Sequence, residues 1–321
     1  MNPSREELEA AYCWDSHDVL PRRPAMTAFR QATRLHQARW RVAHGHPIGT
    51  QPMNPRPGTD GRPVGNRIPL GYGRETGATF LTPAALEAAR TRTSFVEREQ
   101  SFDHQRLWAD LLSSEALTFN LFGDLSADLR RADRIVHDWF PAAPGHVSEV
   151  RFAHSPGRLD PQWLNSLRAF DAAFVLDVDD GTQGIVAVDV KYHEMLQWET
   201  PKPENLWRTS EVHERSGAFR PEAFDAVKRR SDLWEPWLEH LLLFSMLQHP
   251  QGEWTWGRYL VVHPAGNPDT ADVVARYRGL LADPTTFAST TTEELLGSGV
   301  LPQTTVAPLR ERYLLPAPAA G

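Results

Sequence analysis

Two aspartates and a lysine occupy positions where two short apolar runs of the sequence would bring them together. Asp171 begins one run, and Asp189 and Lys191 end the next. Side chains alternate between the two faces of a strand, so Asp189 and Lys191 would share one face. A hairpin turn centred near residue 180 would place Asp171 opposite Asp189, with Cβ atoms about 4.5–5.5 Å apart. Two carboxylates at that separation need a cation or a shared proton to relieve their repulsion.

The apolar residues around these charges test the proposed pairing of the two strands. With Asp171 opposite Asp189, the even-numbered face is almost entirely apolar and contains Phe170, Ala172, Phe174, Leu176, Val178, Val186, Val188 and Val190. A shift of one residue would move the aspartates onto that face, so we favour the symmetric register. Because the other face is also mostly apolar, both strands are predicted to be central strands covered on both sides.

Composition limits the classes of protein that this chain can belong to. The 321 residues include 11 tryptophans and 40% hydrophobic residues, which is enough for a substantial core. No run of about 18 apolar residues occurs, so no membrane span is expected. The charged N-terminus argues against a signal peptide, and the single cysteine, Cys13, excludes an internal disulfide and a multi-cysteine zinc site. We therefore expect a cytoplasmic protein.

The net charge of −7 does not suggest a protein that coats nucleic acid non-specifically. It does not exclude a nuclease, because a local basic cleft is enough to hold phosphates.

The first third of the chain contains few regular patterns. Helices are predicted at 5–13 and 25–43, and Thr82-Pro83 is predicted to open a capped helix. Glycine and proline dominate from 45 to 78, where no helical or strand period survives. Within this stretch Gly71–Gly77 looks at first like a dinucleotide-binding fingerprint, but its third glycine is displaced and no strand precedes it. We therefore predict an extended surface loop there.

The rest of the chain alternates helices and strands in an order typical of α/β proteins. The predicted elements are one helix at 101–121, a helix that Ser126 caps and that ends near Trp139, a strand at 147–154, the hairpin of Asp171 and Asp189, a helix at 233–247, a strand at 259–262 and a helix at 271–281. The polar stretch from Lys191 to about 220 shows no clear period and is expected to cover the end of the sheet. The proline-rich tail from about 300 is expected to fray in part. We predict an α/β fold with a central mixed β-sheet flanked by helices. Its expected divisions are a helical and Gly/Pro-rich extension at 1–95, the main domain at 96–300 and a tail at 301–321.

This order of elements, and the charged residues placed on it, resemble the PD-(D/E)XK nuclease superfamily, whose members have a restriction-endonuclease-like core. The resemblance covers roughly residues 100–265. Asp171 matches the first aspartate of the family pattern, and Asp189-Val190-Lys191 matches its (D/E)-x-K element. Phe170 stands where the family name has a proline.

Shorter motifs are similar to a bacterial group described as restriction endonucleases, whose function is inferred mainly from fold. These motifs are Ser155-Pro-Gly-Arg158, Ala169-Phe-Asp171, Val190-Lys191-Tyr-His-Glu194, and Ser113-Ser114 with Asn120-Leu-Phe-Gly123. This similarity implies a role in restriction or phage defence.

The superfamily resemblance implies Mg²⁺-dependent cleavage of DNA, with Mn²⁺ as an alternative cation. Asp171, Asp189 and the main-chain carbonyl of Val190 would hold the metal, for which carboxylate and water oxygens are suitable ligands. Lys191 would orient or activate the attacking water and stabilise the transition state. The plain structural alternative is an exposed Asp-Lys pair at a strand end, worth a few tenths of a kcal/mol.

Five further residues are candidates for the site. Many members of the superfamily add a glutamate from the helix before the sheet, and Glu115 and Glu149 are the rivals for that role. Arg158 is a candidate phosphate contact, because a guanidinium fork matches phosphate oxygens. His193 and Glu194 follow the motif closely and are candidates for contact with substrate or metal, although His193 equally suits a structural role.

The sequence leaves three functions open. The first is a DNA endonuclease in restriction or defence, and the second is a repair or recombination nuclease that acts on ends or branched structures. The third is a catalytically silent member of the fold that binds nucleic acid or a protein partner. The intact set of Asp171, Asp189 and Lys191 argues against silence. A homodimer is expected from the resemblance alone.

Overall fold

The computed structural model describes residues 2–13, 27–51, 61–178, 181–194, 206–229 and 231–316. Numbered along the chain, its helices are α1 (Arg5–Ala10), α2 (Ala28–Ala43), α3 (Leu70–Thr76), α4 (Pro83–Ser94), α5 (His104–Ala109), α6 (Ser114–Ala127), α7 (Leu129–Trp139), α8 (Leu206–Ser216), α9 (Ala223–Arg229), α10 (Trp234–Leu247), α11 (Pro268–Arg278), α12 (Thr292–Gly297) and α13 (Gln303–Tyr313). Its strands are β1 (Gly49–Thr50), β2 (Pro63–Val64), β3 (His146–His154), β4 (Phe170–Asp177), β5 (Gln183–Val190), β6 (Trp254–His263) and β7 (Phe287–Thr291).

A mixed sheet of five strands forms the centre of the fold, in the order β3-β4-β5-β6-β7. The pairs β3–β4 and β4–β5 are antiparallel, whereas β5–β6 and β6–β7 are parallel. Parallel neighbours need a crossover connection, and α11 lies in the connection between β6 and β7. The predicted α/β fold with a central mixed sheet flanked by helices is confirmed.

The β4–β5 hairpin has the symmetric register that the sequence predicts. Ala172 pairs with Val188, and Phe174 pairs with Val186. Continuing this ladder by one residue places Asp171 opposite Asp189. The centre of the predicted turn, residues 179 and 180, lies outside the described residues.

Two hydrophobic cores cover the two faces of the sheet. The first core contains Phe174 and Val188 together with residues of α6, α7 and α13. The second contains Ala173 and Ile185 together with residues of α10 and α11. Both faces of the hairpin are therefore buried, as its apolar sequence predicts. Phe170 is an exception, because it packs in the second core although its number places it on the first face. Phe170 lies beyond the last described residue pair between β4 and β5. The alternation along that pairing therefore does not determine which face of the sheet its side chain is on.

The single helix predicted at 101–121 is wrong, because the chain forms α5 and α6 with a break between them. Asp110 causes the break, since its side chain accepts a hydrogen bond from the Leu112 N–H and pairs with Arg67 at 2.9 Å. The predicted end near Gly123 is also wrong. A Cβ atom at Gly123 would lie 2.5 Å from the Cα of Ala85, so this glycine serves the close packing of α6 on α4.

Ser126 lies inside α6, and Asp128 provides the cap of α7 by accepting a hydrogen bond from the Arg131 N–H. The predicted position of this cap is therefore two residues too early. The prediction of a Thr82 cap on α4 is confirmed by its hydrogen bond from the Ala85 N–H.

The stretch predicted as an extended loop at 71–77 forms α3 instead. A Cβ atom at Gly73 would lie 1.8 Å from the Trp108 carbonyl oxygen, so this glycine permits close contact with α5. Gly73 is therefore required for packing, and the glycine spacing of this segment does not mark a phosphate-binding loop.

Two further regions are more ordered than the sequence suggests. The polar stretch after Lys191 includes α8, in which Arg208 donates a 2.6 Å hydrogen bond to the Trp163 carbonyl. Part of the tail predicted to fray forms α13, whose Tyr313 has 2% of its surface exposed. The last residues of that tail, 317–321, lie outside the described residues. The edge strand β7 and helix α12 were not predicted, because their short segments carry no clear period. None of the described helices is long and apolar enough to cross a membrane.

Candidate active site

The two aspartates predicted to bind metal lie side by side on adjacent strands. Asp171 is the second residue of β4, and Asp189 is the last but one of β5. The Asp171 Oδ2 atom accepts a 2.8 Å hydrogen bond from the Val190 backbone N–H, which fixes this carboxyl group against β5. Both carboxyl groups line the same cavity, and the nearby Asp189 carboxylate adds to the effect of burial in raising the pKa of Asp171.

Lys191 lies on the same side of the sheet and is buried. Its Nζ atom lies 2.8 Å from Asp189 Oδ1 and 2.7 Å from Glu235 Oε1. Burial alone would lower the pKa of Lys191, but Asp189, Glu235 and other nearby carboxylates raise it well above its ordinary value. Lys191 is therefore a fixed cation at neutral pH. In this state it suits stabilisation of negative charge better than removal of a proton.

Helix α10 supplies two acids that the sequence reasoning did not select. Glu235 and Glu239 are four residues apart and lie on one face of the helix. The Tyr259 hydroxyl lies 3.0 Å from Glu239 Oε2 and 3.4 Å from Asp189 Oδ2. Arg168 lies 3.7 Å from Glu235 and 3.8 Å from Glu239. The available signal was a pair of acids at helical spacing in an otherwise apolar helix, where a charged side chain needs a buried partner.

Of the two rival glutamates, the structure brings only Glu115 to the aspartates. Glu115 is in the first turn of α6, where Arg106 lies 3.4 Å from its carboxylate. Burial raises the pKa of Glu115, and Arg106 opposes this shift. Glu149 pairs with Arg151 at 2.8 Å, its side chain is 53% exposed, and it lies opposite Val175 of β4. Glu149 is thus displaced along the sheet from Asp171.

Glu194 connects the end of β5 to α6 and does not line the cavity that contains Asp171 and Asp189. Its carboxylate accepts hydrogen bonds from the Ser114 N–H at 3.1 Å and the Tyr192 N–H at 2.9 Å. Burial would raise the pKa of Glu194, but nearby His193 and Arg106 and these hydrogen bonds lower it. Burial also lowers the pKa of His193 to about 4. The contacts of Glu194 are therefore structural, because they hold the N-terminus of α6 in place, whereas the buried ring of His193 contacts Tyr192.

Arg158 is also bound within the protein. Its side chain is 6% exposed and forms an ion pair with Glu97. It donates a second hydrogen bond, of 2.9 Å, to the Ala153 carbonyl. These contacts neutralise the guanidinium that the sequence suggested for phosphate.

The aspartates, Lys191 and Glu115 together line a cavity of about 690 Å³, named the catalytic cavity for the role proposed below. Its charged lining comprises five carboxyl groups and three cations: Glu115, Asp171, Asp189, Glu235 and Glu239, with Arg106, Arg168 and Lys191. The acids outnumber the cations by two, and burial and mutual repulsion raise the pKa of Asp171 and of Glu239. A buried site of this kind is stabilised when a cation enters it.

The donor set fits a hard divalent metal. Burial and the neighbouring Asp189 raise the pKa of Asp171 well above its ordinary value, although Lys191 and the Val190 N–H oppose this shift. A cation between the two carboxyl groups would remove the cause of their repulsion. Among the described residues, no three His, Cys, Asp or Glu side chains converge as a ready-made metal site. Asp171 and Asp189 would therefore need the Val190 carbonyl, water or substrate oxygens as further ligands.

Comparison with known proteins agrees with this geometry. The model of the PD-(D/E)XK nuclease superfamily matches residues 24–315, and the chain belongs to that superfamily. Its members are generally nucleases, and they typically use divalent metals. No curated protein and no solved structure matches the chain.

Proposed function

We propose that this protein is a nuclease that hydrolyses phosphodiester bonds of DNA with the help of Mg²⁺. One observation carries the proposal: Asp171, Asp189 and Lys191 meet in a cavity whose acids outnumber its cations. The superfamily membership supports the same chemistry.

Asp171, Asp189 and the Val190 carbonyl are the groups proposed to hold the metal. When bound, Mg²⁺ would lower the pKa of an attacking water and offset charge on the phosphate, and Mn²⁺ is the alternative cation. Lys191 would stabilise the negative charge that develops on the phosphate oxygens. Glu235 supports this role because it holds the Lys191 Nζ atom at 2.7 Å from the α10 side of the cavity.

Glu115 is proposed as the further acid of the site, since it shares the cavity with both aspartates. Arg106 and Arg168 also line the cavity, and although each is paired with two glutamates, they are the arginines proposed to lie beside a bound phosphate backbone. They make phosphate binding compatible with an acidic chain, because the relevant charge is local.

A role in restriction or phage defence is proposed from the short motifs shared with the bacterial group, and a homodimer is part of that proposal. A repair or recombination nuclease would use the same cavity on a different DNA structure. A silent binding protein is the less favoured alternative, because all three charged residues are present and are held together.

The test is a cleavage assay on supercoiled plasmid, single-stranded and branched DNA, and RNA, with Mg²⁺, Mn²⁺ or EDTA. We expect metal-dependent cleavage by the wild type and a loss of roughly 10²–10³-fold in Lys191→Ala. Lys228→Ala is the matched control, because Lys228 is an exposed lysine of α9. If the wild type and Lys191→Ala leave every substrate equally intact, the enzyme proposal fails.

A further inference from the structure

A second cavity opens on the other side of the catalytic acids. Its volume is about 260 Å³, and its lining includes Glu115 and Asp171, which also line the catalytic cavity. Leu167 and Ala169 are shared in the same way. A molecule that occupies the second cavity therefore lies next to whatever group Asp171 and its metal act on.

The inner wall of the second cavity is aromatic. Phe102, Phe119 and Phe170 contribute to it, and Phe119 and Phe170 are buried. The Arg92 guanidinium carbon lies 5.1 Å from the centroid of the Phe102 ring, which helps to hold that ring in place. The Phe119 ring is already stacked on Phe152, so the partly buried Phe102 is the ring that would stack on a nucleobase, an interaction that tolerates any base.

The charges around the second cavity argue against a phosphate as its occupant. Four carboxylates line it, those of Glu99, Asp103, Glu115 and Asp171. Its arginine, Arg158, is already paired with Glu97. Although Arg106 pairs with Glu115, the acids in this lining still outnumber its cations, so a phosphate would be repelled and a neutral ring would not. Carboxylates accept hydrogen bonds from exocyclic amino groups, as aspartate and glutamate do from the cytosine amine.

The size of the cavity supports the same occupant. Sites for drug-sized ligands are typically about 300–1,000 Å³, so a cavity of about 260 Å³ suits one ring system better than a whole nucleotide.

We propose that the second cavity receives one unstacked nucleobase, next to the phosphate that the enzyme cleaves. This inference rests on the proposed nuclease function and extends it to the form of the substrate. The base must leave the stack of a duplex, which costs least at a single-stranded segment, a mismatch or an end. The enzyme is therefore expected to prefer DNA with an unpaired base beside the cleavage position.

A binding experiment tests the base site without needing cleavage. Short single-stranded oligonucleotides carry 2-aminopurine at each position in turn and are bound by the full chain in Ca²⁺, a cation with similar oxygen ligands. We expect a fluorescence change confined to one position. Phe102→Ala should weaken binding by roughly 5–150-fold, the range for loss of one base–aromatic stack. Phe95→Ala is the matched control, because Phe95 is 66% exposed on the same segment and does not line the cavity.

An abasic substitution separates contact with the base from damage to the fold. When the base at the responsive position is removed, the wild type and Phe102→Ala should bind the oligonucleotide equally, because neither protein can then form the stack between Phe102 and the base. Ser101→Trp provides a second variant, since Ser101 is an exposed lining residue and the new indole should fill the cavity. It should abolish the position-specific signal while circular dichroism remains that of the wild type.

The results distinguish the base site from the nuclease itself. If cleavage is normal but no position responds, or Phe102→Ala weakens intact and abasic oligonucleotides alike, the base site is refuted and the nuclease stands. If the signal appears and responds to Phe102→Ala while no substrate is cut, the base site stands and the nuclease proposal fails.

Discussion

Two groups of buried charges in this protein are stabilised in opposite ways. In the catalytic cavity, Lys191 lies between Asp189 and Glu235, and the carboxylates outnumber the cations. Between α2 and α13, Arg312 is fully buried and contacts neutral groups. Its Nη1 atom donates a 2.6 Å hydrogen bond to the Thr79 carbonyl, and its guanidinium carbon lies 4.7 Å from the ring centroids of both Trp40 and Tyr313.

The comparison shows that a buried charge alone does not mark a functional site. The Arg312 side chain is fully buried, and the Thr79 carbonyl and two aromatic rings stabilise its cation. The acids of the catalytic cavity instead face a cavity and outnumber the cations there. A cluster of like charges that a cavity makes accessible is what points to an ion or a substrate.

The strongest effect should come from removing one of the clustered carboxylates of the catalytic cavity. Asp171→Asn should lower the cleavage rate by roughly 10²–10³-fold, because a charged ligand of the proposed metal is lost. Without metal, the free energy of unfolding should rise, since the repulsion between Asp171 and Asp189 is relieved. Cleavage assays and urea denaturation in EDTA measure the two effects. Asp177→Asn, at the exposed end of β4, is the control. Loss of both activity and stability in Asp171→Asn would contradict this account.

Changes at Arg312 should affect the stability of the protein and not its activity. Arg312→Ala is expected to lower the free energy of unfolding by about 2–5 kcal/mol, because it leaves a cavity and the Thr79 carbonyl loses its hydrogen bond. Urea denaturation measures this change, and calorimetric titration with Mg²⁺ should show an unchanged metal affinity. Arg310→Ala, on the exposed side of the same helix, is the matched control. Equal stability of the two variants would show that Arg312 contributes nothing specific.

A third buried group, His240, extends the comparison to pH. Burial lowers the pKa of His240 to about 3, and its Nδ1 atom lies 2.9 Å from the Tyr277 hydroxyl. The unfolded chain binds this proton below about pH 6.5. Stability from His240 is therefore complete above that pH, and it falls by about 1.4 kcal/mol per pH unit as the pH drops towards 3.

Urea denaturation from pH 7 to pH 4 measures that slope. His240→Phe should flatten it, whereas His146→Phe should not, because the His146 side chain is 84% exposed. If both variants keep the wild-type slope, other groups cause the acid sensitivity.

The smallest effect is expected at Glu149, the rejected rival of Glu115. Its pair with Arg151 is at the surface, so Glu149→Gln should change the free energy of unfolding by less than about 0.5 kcal/mol. Cleavage should not change, whereas Glu115→Gln should reduce it. Parallel cleavage assays on the two variants decide between the glutamates, and a reversed order would return Glu149 to the site.

The sequence was sufficient for the part of the site that adjacent strands build. Alternation of side chains and a symmetric turn fix the pairing of Asp171 with Asp189, because a slip of one residue would move the aspartates onto the apolar face. The α/β fold followed from the order of elements. Both inferences use local periodicity, which the sequence displays directly.

The rest of the site depends on contacts between distant segments. Glu235, which is on α10, forms an ion pair with Lys191 at the end of β5. Arg158 forms an ion pair with Glu97, which is far away in sequence. No local pattern specifies which acid meets which cation. The division of the chain at 95 and 300 stays a prediction.

Helix α13 has a consequence for how the protein is made. Gln37 donates hydrogen bonds to the Tyr192 hydroxyl and to the Arg312 carbonyl, and the rings of Tyr192 and Tyr313 meet edge to face. Tyr192, the residue that follows Lys191, is thus held in part by α13, which is translated more than a hundred residues later. A nascent chain that still lacks α13 has both aspartates but not this support. The candidate site therefore gains this support only after residue 313 has been translated.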